Sequence, residues 1–396
     1  MTRGTPFHPR TAPLCEPQNW RRWAGYFVVG SYELNHDREY FAIRNSAALI
    51  DITPLHKYII RGPDAVRFLN RLVTRNVAQC AAGQMLYTTW CDEDGKVIDD
   101  GTLARLDEQT FRLTAAEPNL HWLHANAFGL KNLAIEDESD STAAVALQGP
   151  LSRAILNQAC DTNLDGLQYF RLTSARIGGI AATISRTGYT GDLGYEIWVG
   201  AANASALWDT LIEAGTPYDI TPAGILALDV ARIEAGLIML DVDYTSAKKA
   251  LIESQKSSPF ELGLGWTVSF DKGDFVGKRA LLAEKERGSA WHMVGLEVEW
   301  ESLERAHNEV GLPVNLPMTA WRSDVPIYSG GRQIGYATSG VWSPLLKKYI
   351  VLAHLETTHA QPGTQVFMEI TVDHKRRLAR AFVAKLPFFD PERKRK

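Results

Sequence analysis

The stretch QMLYTTWCDEDGKVIDDGTLARL, Gln84 to Leu106, constrains this chain more than any other. Two strand-like runs meet there across an Asp94-Gly95 turn, and strands joined by so short a link pair antiparallel. Upstream, AALIDITPLHKYIIRG reads as strands. GPDAVRFLNRLVTRNV then predicts a helix, with Pro63 in its first turn, Asp64 complementing the dipole, and Val66, Leu69, Leu72 and Val73 as the apolar stripe. TFRLTAAEPNLHWLHANAFGL adds a strand and a helix, and ASALWDTLIEAG a helix stopped at Gly215. TPAGILALDVARIEAG predicts another helix, capped by Thr221 with Pro222 in its first position. Strands and helices mix without βαβ alternation, so the fold class is α+β with antiparallel sheets. From about Glu284 the texture becomes short strands separated by glycine, proline and asparagine: HMVGLEVEW, VPIYSGGRQIGYATSG, KYIVLAHL and TQVFMEITV. This predicts a separate all-β unit, with AEKERGSA as the junction.

A length of 396 residues exceeds one ordinary core and suits two or three domains. No run of eighteen apolar residues exists, and the first thirty residues lack the apolar block of a signal peptide, so a cytoplasmic location without membrane partners is expected. A net charge of −4 gives no reason to expect nucleic acid. The basic runs His374–Arg380 and Arg393–Lys396 read as a solvated strand face and a frayed tail. Cys15, Cys80, Cys91 and Cys160 form no C-x-x-C pair and read as reduced thiols. His121 and His124 have no acid beside them in HWLH, so no metal site is expected.

Two features are out of place structurally. The first is Asp99-Asp100, because aspartate is disfavoured in strands. Alternation puts Ile98, Asp100, Thr102 and Ala104 on one face and Val97, Asp99, Gly101 and Leu103 on the other, so one carboxylate faces inward unless a bulge leaves both wet. The second is SRTGYTGDLGYEIWVG, where AATIS and YEIWV read as strands around a long tip bent by Gly188, Gly191 and Gly194. This is no dinucleotide fingerprint, which would need Gly-x-Gly-x-x-Gly between a strand and a helix. Something is expected to sit against the tip. Glu196 lies either on the solvent face or buried with a partner. A carboxylate beside a glycine loop and tyrosines suits a flat heterocycle with an amidine-like donor edge, which Tyr189 could cover and Glu196 could bind through two hydrogen bonds. Nucleophile-elbow, Walker, zinc-protease and kinase patterns are missing from the sequence.

RTGYTGDLGYEI, Arg186 to Ile197, resembles the signature of the folate-dependent glycine-cleavage T-protein family, the aminomethyltransferases. The likeness continues through ALIDITPLHKYIIRGPDAVRFLNRLVTRNV, GKVIDDGTL, ALQGP, PAGILALDVARIEAG, FELGLGWTVSFDKGDFVGKRAL and IGYATSGVWSPLLKKYIVLAHL, in the family's order over nearly the whole chain. It implies a three-lobed molecule. Residues 1–285 would form a folate-binding region, a discontinuous first domain with a second inserted at about 58–141, and residues 286–396 a C-terminal β-barrel. Tetrahydrofolate would occupy the central channel. By the same resemblance Glu196 would pair with the amino-pyrimidine edge of the pterin, Tyr189 would lie on the loop that holds it, Tyr87 would line the folate site, and Asp100 would be the catalytic carboxylate.

The chain also departs from the family pattern. Leu228 stands where glycine-cleavage members usually carry arginine, GLIMLDVDY lacks their tyrosine-glycine pair, and WAGYFVVGSYELNHDREYFAIR lacks their GWxMP pattern. In these places it resembles the folate-dependent demethylase relatives, which move a methyl group from nitrogen, sulfur or oxygen donors. A small methylated donor is therefore expected rather than a lipoyl-carrier partner. The alternatives are a glycine-cleavage aminomethyltransferase and a non-catalytic folate-binding assembly factor of the iron–sulfur type. That last class carries K-G-C-Y where this chain has TGYTG.

Overall fold

The hairpin forms as its sequence requires: Met85–Cys91 pairs antiparallel with Val97–Arg105, placing Thr89 opposite Asp100 and Trp90 opposite Asp99. A register shift follows between Trp90 and Cys91. The computed structural model describes residues 2–396 and sets this hairpin in a five-stranded sheet with Thr110–Ala115, His56–Arg61 and Ala134–Asp137. The helix Ala65–Leu72 covers one face, burying Ala65, Phe68, Leu69 and Leu72 at the i, i+3, i+4, i+7 spacing of a single stripe. Phe68 takes the place expected for Val66, and Val73 lies just past the helix end.

In chain order this sheet falls between Ala47–Asp51 and Thr142–Gln148, which are themselves neighbours in a six-stranded sheet. The other strands of that second sheet are Gly194–Gly200, Ile180–Ser185, Leu172–Ile177 and Ile220–Pro222. Tyr195, Ile197 and Val199 point into one apolar core, while Trp198 packs on the opposite side with Ile50, Ala144 and Ala146. Strand periodicity puts Glu196 on the Trp198 side. The chain ends in a closed six-stranded barrel, from Trp291–Val298 to Lys375–Ala384. Among the described residues no helix is long and apolar enough to cross a membrane.

The helix Ile225–Glu234 joins these parts and is buried continuously from Ala227 to Glu234. Its Ala227, Leu228, Val230 and Ala231 share a core with Val341, Ile350 and Leu352 of the barrel. A helix wrapped on all sides must pair its polar groups. Glu234 accepts from Tyr40 at 2.5 Å, Arg44 at 2.6 Å and Ser343 at 2.5 Å.

Four expectations change. Thr221 and Pro222 do not open the helix; they lie in Ile220–Pro222, which pairs parallel with Ala47–Asp51. The helix starts three residues later because the Glu39 carboxylate, 185 positions away in sequence, accepts the Gly224 N–H at 2.7 Å. The AEKER part of the expected junction is the end of a helix, Lys278–Arg287, stopped by Gly288 at φ 86°. The C-terminal unit also carries a helix, Trp300–Asn308, against its last strand. Finally, the tail is not frayed. Arg393 makes a two-pronged pair with Asp192, at 2.6 and 2.9 Å, and Arg186 donates to the carbonyls of Arg393, Lys394 and Lys396.

Candidate active site between the two sheets

The adjacent aspartates have opposite surroundings. Asp99 faces the helix-packed core and is fully buried. It accepts from the backbone N–H groups of Asp100 at 2.8 Å and Glu117 at 3.1 Å, and from the Asn119 amide at 2.8 Å. Burial first, and then the charge of Asp100, push its carboxyl well above the usual range. Asp100 faces the other way and is partly exposed, so the bulge that would leave both acids wet is not what forms. Tyr87 donates to its Oδ2 at 2.6 Å and Tyr244 to its Oδ1 at 2.5 Å. Burial raises the Asp100 carboxyl and the two phenols pull it partly back. With one phenol on each oxygen, the plane of this carboxylate is fixed.

An aromatic column leads outward from it. The Tyr87 ring stacks on Trp266 with centroids 6.0 Å apart and planes at 23°. Trp266 is 59% exposed, and the Arg75 guanidinium lies over its ring, 5.5 Å from the centroid.

The glycine tip spans eight residues, Arg186 to Leu193, between Ile180–Ser185 and Gly194–Gly200. What sits against it is first of all the protein itself. A Cβ on Gly188 or Gly194 would collide with the Gln148 amide, and one on Gly191, at φ +72°, with Ala235. Gln148 in turn donates to the carbonyls of Thr187 and Tyr195 and accepts from Thr190. The glycines thus let the tip fold tightly onto a buried amide and onto the end of the Ile225–Glu234 helix. Tyr189, at the tip, donates to the Ile238 carbonyl, and burial raises its phenol strongly.

Glu196 emerges just beyond. It is partly buried, not on the open solvent face, and Thr187 donates to its Oε2 at 2.8 Å. Burial raises this carboxyl, with Thr187 opposing. No donor among the described residues reaches Oε1. An acceptor-only group with one satisfied and one free oxygen fits a ligand that presents N–H donors. Ser185 and Thr183, opposite Glu196 and Trp198 on the next strand, line a narrow cleft with Met85, Thr102 and Ala104 of the five-stranded sheet. Thr102 and Ala104 lie on the Asp100 face and Ser185 is paired with Glu196, so the cleft lies between the sheet faces that carry the two carboxylates. Across Arg112, Thr183 and Trp198 it adjoins an open cavity of about 520 Å³ over the outer end of the same face.

Of the four residues singled out in sequence, Tyr87 and Asp100 are hydrogen-bonded to each other, Tyr189 bonds instead to the Ile238 carbonyl, its phenol raised by burial and by the charge of Asp100, and Glu196 stands on the facing sheet. Tyr244, Thr187 and Trp266 were missed. Tyr244 belongs to GLIMLDVDY, legible only as a departure from the family, and Thr187 is the second residue of the glycine signature itself.

Residues 10–272 match the family described as GCVT N-terminal domain, and residues 309–390 match the glycine cleavage T-protein C-terminal barrel domain. An aminomethyltransferase of Halothermothrix orenii is 35% identical over 354 residues, 88% of this chain and 90% of that protein. A trimethylamine-oxide aldolase of Ruegeria pomeroyi is 34% identical over 100% of this chain, which corresponds to 48% of that longer protein. The crystal structure of the glycine cleavage system aminomethyltransferase T from Bartonella henselae superposes with a TM-score of 0.82 and 25% identity, over 98% of each chain. The chain belongs to the glycine cleavage T-protein family, whose aminomethyltransferases are folate-dependent one-carbon transferases.

Proposed function

We propose that this protein transfers a one-carbon unit, a methyl group, from a small free donor to tetrahydrofolate, in the manner of a folate-dependent demethylase. The observation that carries the reading is the pair of unlike carboxylates on facing sheets, Asp100 locked by two phenols and Glu196 with one oxygen free. When bound, tetrahydrofolate supplies a neutral amine nitrogen as nucleophile. Glu196 Oε1 would accept from the donor edge of the pterin, and Thr187 holds the carboxylate in place for it. Asp100 would face that nitrogen as it attacks the donor's methyl carbon and the methyl–heteroatom bond breaks with its electron pair left on the donor; the carboxylate would stabilise the charge the nitrogen gains and take up its proton. Tyr87 and Tyr244 keep the carboxylate aimed without a reorganisation cost during the reaction.

Three observations favour a small donor over a protein-bound one. Leu228, at the family's arginine position, is 7% exposed and belongs to one apolar core with Ile50, Trp198 and Ala231, so this position offers no cation to an anionic partner. Arg232, one turn further on, is fully occupied by Asp229, Asp243 and Ser339, at 2.7, 2.5 and 2.8 Å. The Ruegeria relative, which aligns with all of this chain, is named for a small N-methylated compound. Glycine-cleavage aminomethyl transfer is the second reading, favoured by the 35% identity to the Halothermothrix protein along 90% of its length.

The test incubates purified protein and tetrahydrofolate with methylated amines, sulfonium compounds and methoxy-aromatics, and reads methyl- and methylene-tetrahydrofolate by mass. Product from a free methylated donor is expected. Product only from an aminomethyl-loaded lipoyl carrier would transfer the protein to the second reading.

A further inference from the structure

The strand Arg332–Ser343 of the barrel is irregular between Ala337 and Ser339. Consecutive side chains of a regular strand point to opposite faces, and a bulge is the device that re-aims one of them. Here Thr338 and Ser339 both donate to one atom, Asp243 Oδ1, each at 2.6 Å. Asp243 Oδ2 accepts from Arg232 at 2.5 Å and from the Met239 N–H at 2.9 Å, and the Asp243 carbonyl lies 2.7 Å from His354 Nε2. Asp243 is fully buried and every oxygen it carries is engaged. The next residue is Tyr244, 5% exposed, whose phenol reaches Asp100.

We infer that Tyr244 is a positioning residue for Asp100 and that the barrel sets its place through the grip of Thr338 and Ser339 on Asp243. The inference deepens the proposed function, on which its catalytic meaning rests. A phenol must arrive at one carboxylate oxygen within a few tenths of an ångström to act as a donor, and a free loop would not hold it there. The start of the segment is held as well: Arg232 donates to the Leu237 carbonyl at 3.4 Å and Tyr189 to that of Ile238. The barrel therefore contributes to the chemistry from a distance, through a hydroxyl pair, a carboxylate and one phenol. The ionisable groups around Asp100 are Tyr87 from the facing strand, Tyr244, Tyr189 from the glycine tip, and Asp99 on its own strand.

Loss of a donor disfavours the charged carboxylate, so the Asp100 titration must move to higher pH. The test follows the Asp100 carboxyl by carbon-13 NMR in the protein without folate or donor, assigned with Asp100→Asn. Tyr244→Phe should raise the midpoint by roughly one pH unit, Ser339→Ala should raise it by less, and Ser339→Thr should restore it. Ser343→Ala, on the same strand as Ser339, which removes a contact to Glu234 of the helix, should leave it in place. If Ser339→Ala does not fold, Thr338→Val reads the same grip. An unmoved midpoint in Tyr244→Phe or in Ser339→Ala, or equal movement in Ser339→Ala and Ser343→Ala, overturns the inference. Because the readout needs no turnover, a protein inactive toward every methylated donor but showing these shifts would count against the proposed reaction and not against this role.

Discussion

Asp100 and Glu196 are both strand carboxylates raised by burial, yet the protein treats them differently. On the five-stranded sheet, each oxygen of Asp100 has its own phenol, delivered by residues 13 and 144 positions away. On the six-stranded sheet, Glu196 receives one hydroxyl from nine residues upstream and leaves the second oxygen free. A group whose partners are all internal is built to hold one orientation. A group with an open acceptor is built to receive something. Under the proposed function this difference separates turnover from binding, and substitutions can test that separation.

The largest effect belongs to Asp100→Asn, which keeps shape and removes charge. kcat should fall by roughly 10²–10⁴-fold while folate affinity changes little. Full activity in this variant, with activity lost instead in Asp99→Asn, would break the comparison. Glu196→Gln should do the reverse, weakening folate binding by about ten- to hundredfold in calorimetry, the equivalent of about 1.5–3 kcal/mol, with kcat at saturation largely kept.

Protonation sharpens the same contrast. Since burial raises the Asp100 carboxyl from its ordinary value, the acid limb of kcat/KM should lie above that of a free aspartate, with activity lost as pH falls through it. Asp99→Asn replaces one acceptor oxygen by an NH2 donor facing other donors, and should cost about 1–3 kcal/mol of stability in denaturant melts while lowering kcat far less than Asp100→Asn. The smallest effect is expected from Arg393→Ala. It loosens the glycine tip at Asp192, so folate affinity should weaken only about two- to threefold, with kcat unchanged.

Much of this site was legible in the sequence because its logic is local. Strand alternation alone separates Asp99 from Asp100, and the turn at Asp94-Gly95 fixes the hairpin that carries them. The glycines announced close approach, though not that Gln148 and Ala235 would be the approaching groups. What escaped was everything that depends on distant pairing. Tyr244 reaches Asp100 only because the barrel grips its neighbour, and a basic tail looks solvated until the buried carboxylate of Asp192 is placed beneath it. Thr221 and Pro222 carry sound helix-start chemistry that a parallel strand pairing and a cap from Glu39 override.

The central claim is that Asp100 and Glu196 hold the two working ends of one ligand. A crystal structure of the protein with tetrahydrofolate bound tests it most directly. The account predicts the amino-pyrimidine edge within hydrogen-bond reach of Glu196 Oε1 and the reacting nitrogen turned toward Asp100. A pterin reversed so that its donor edge lies on Asp100, or bound outside the cleft between the sheets, would contradict it.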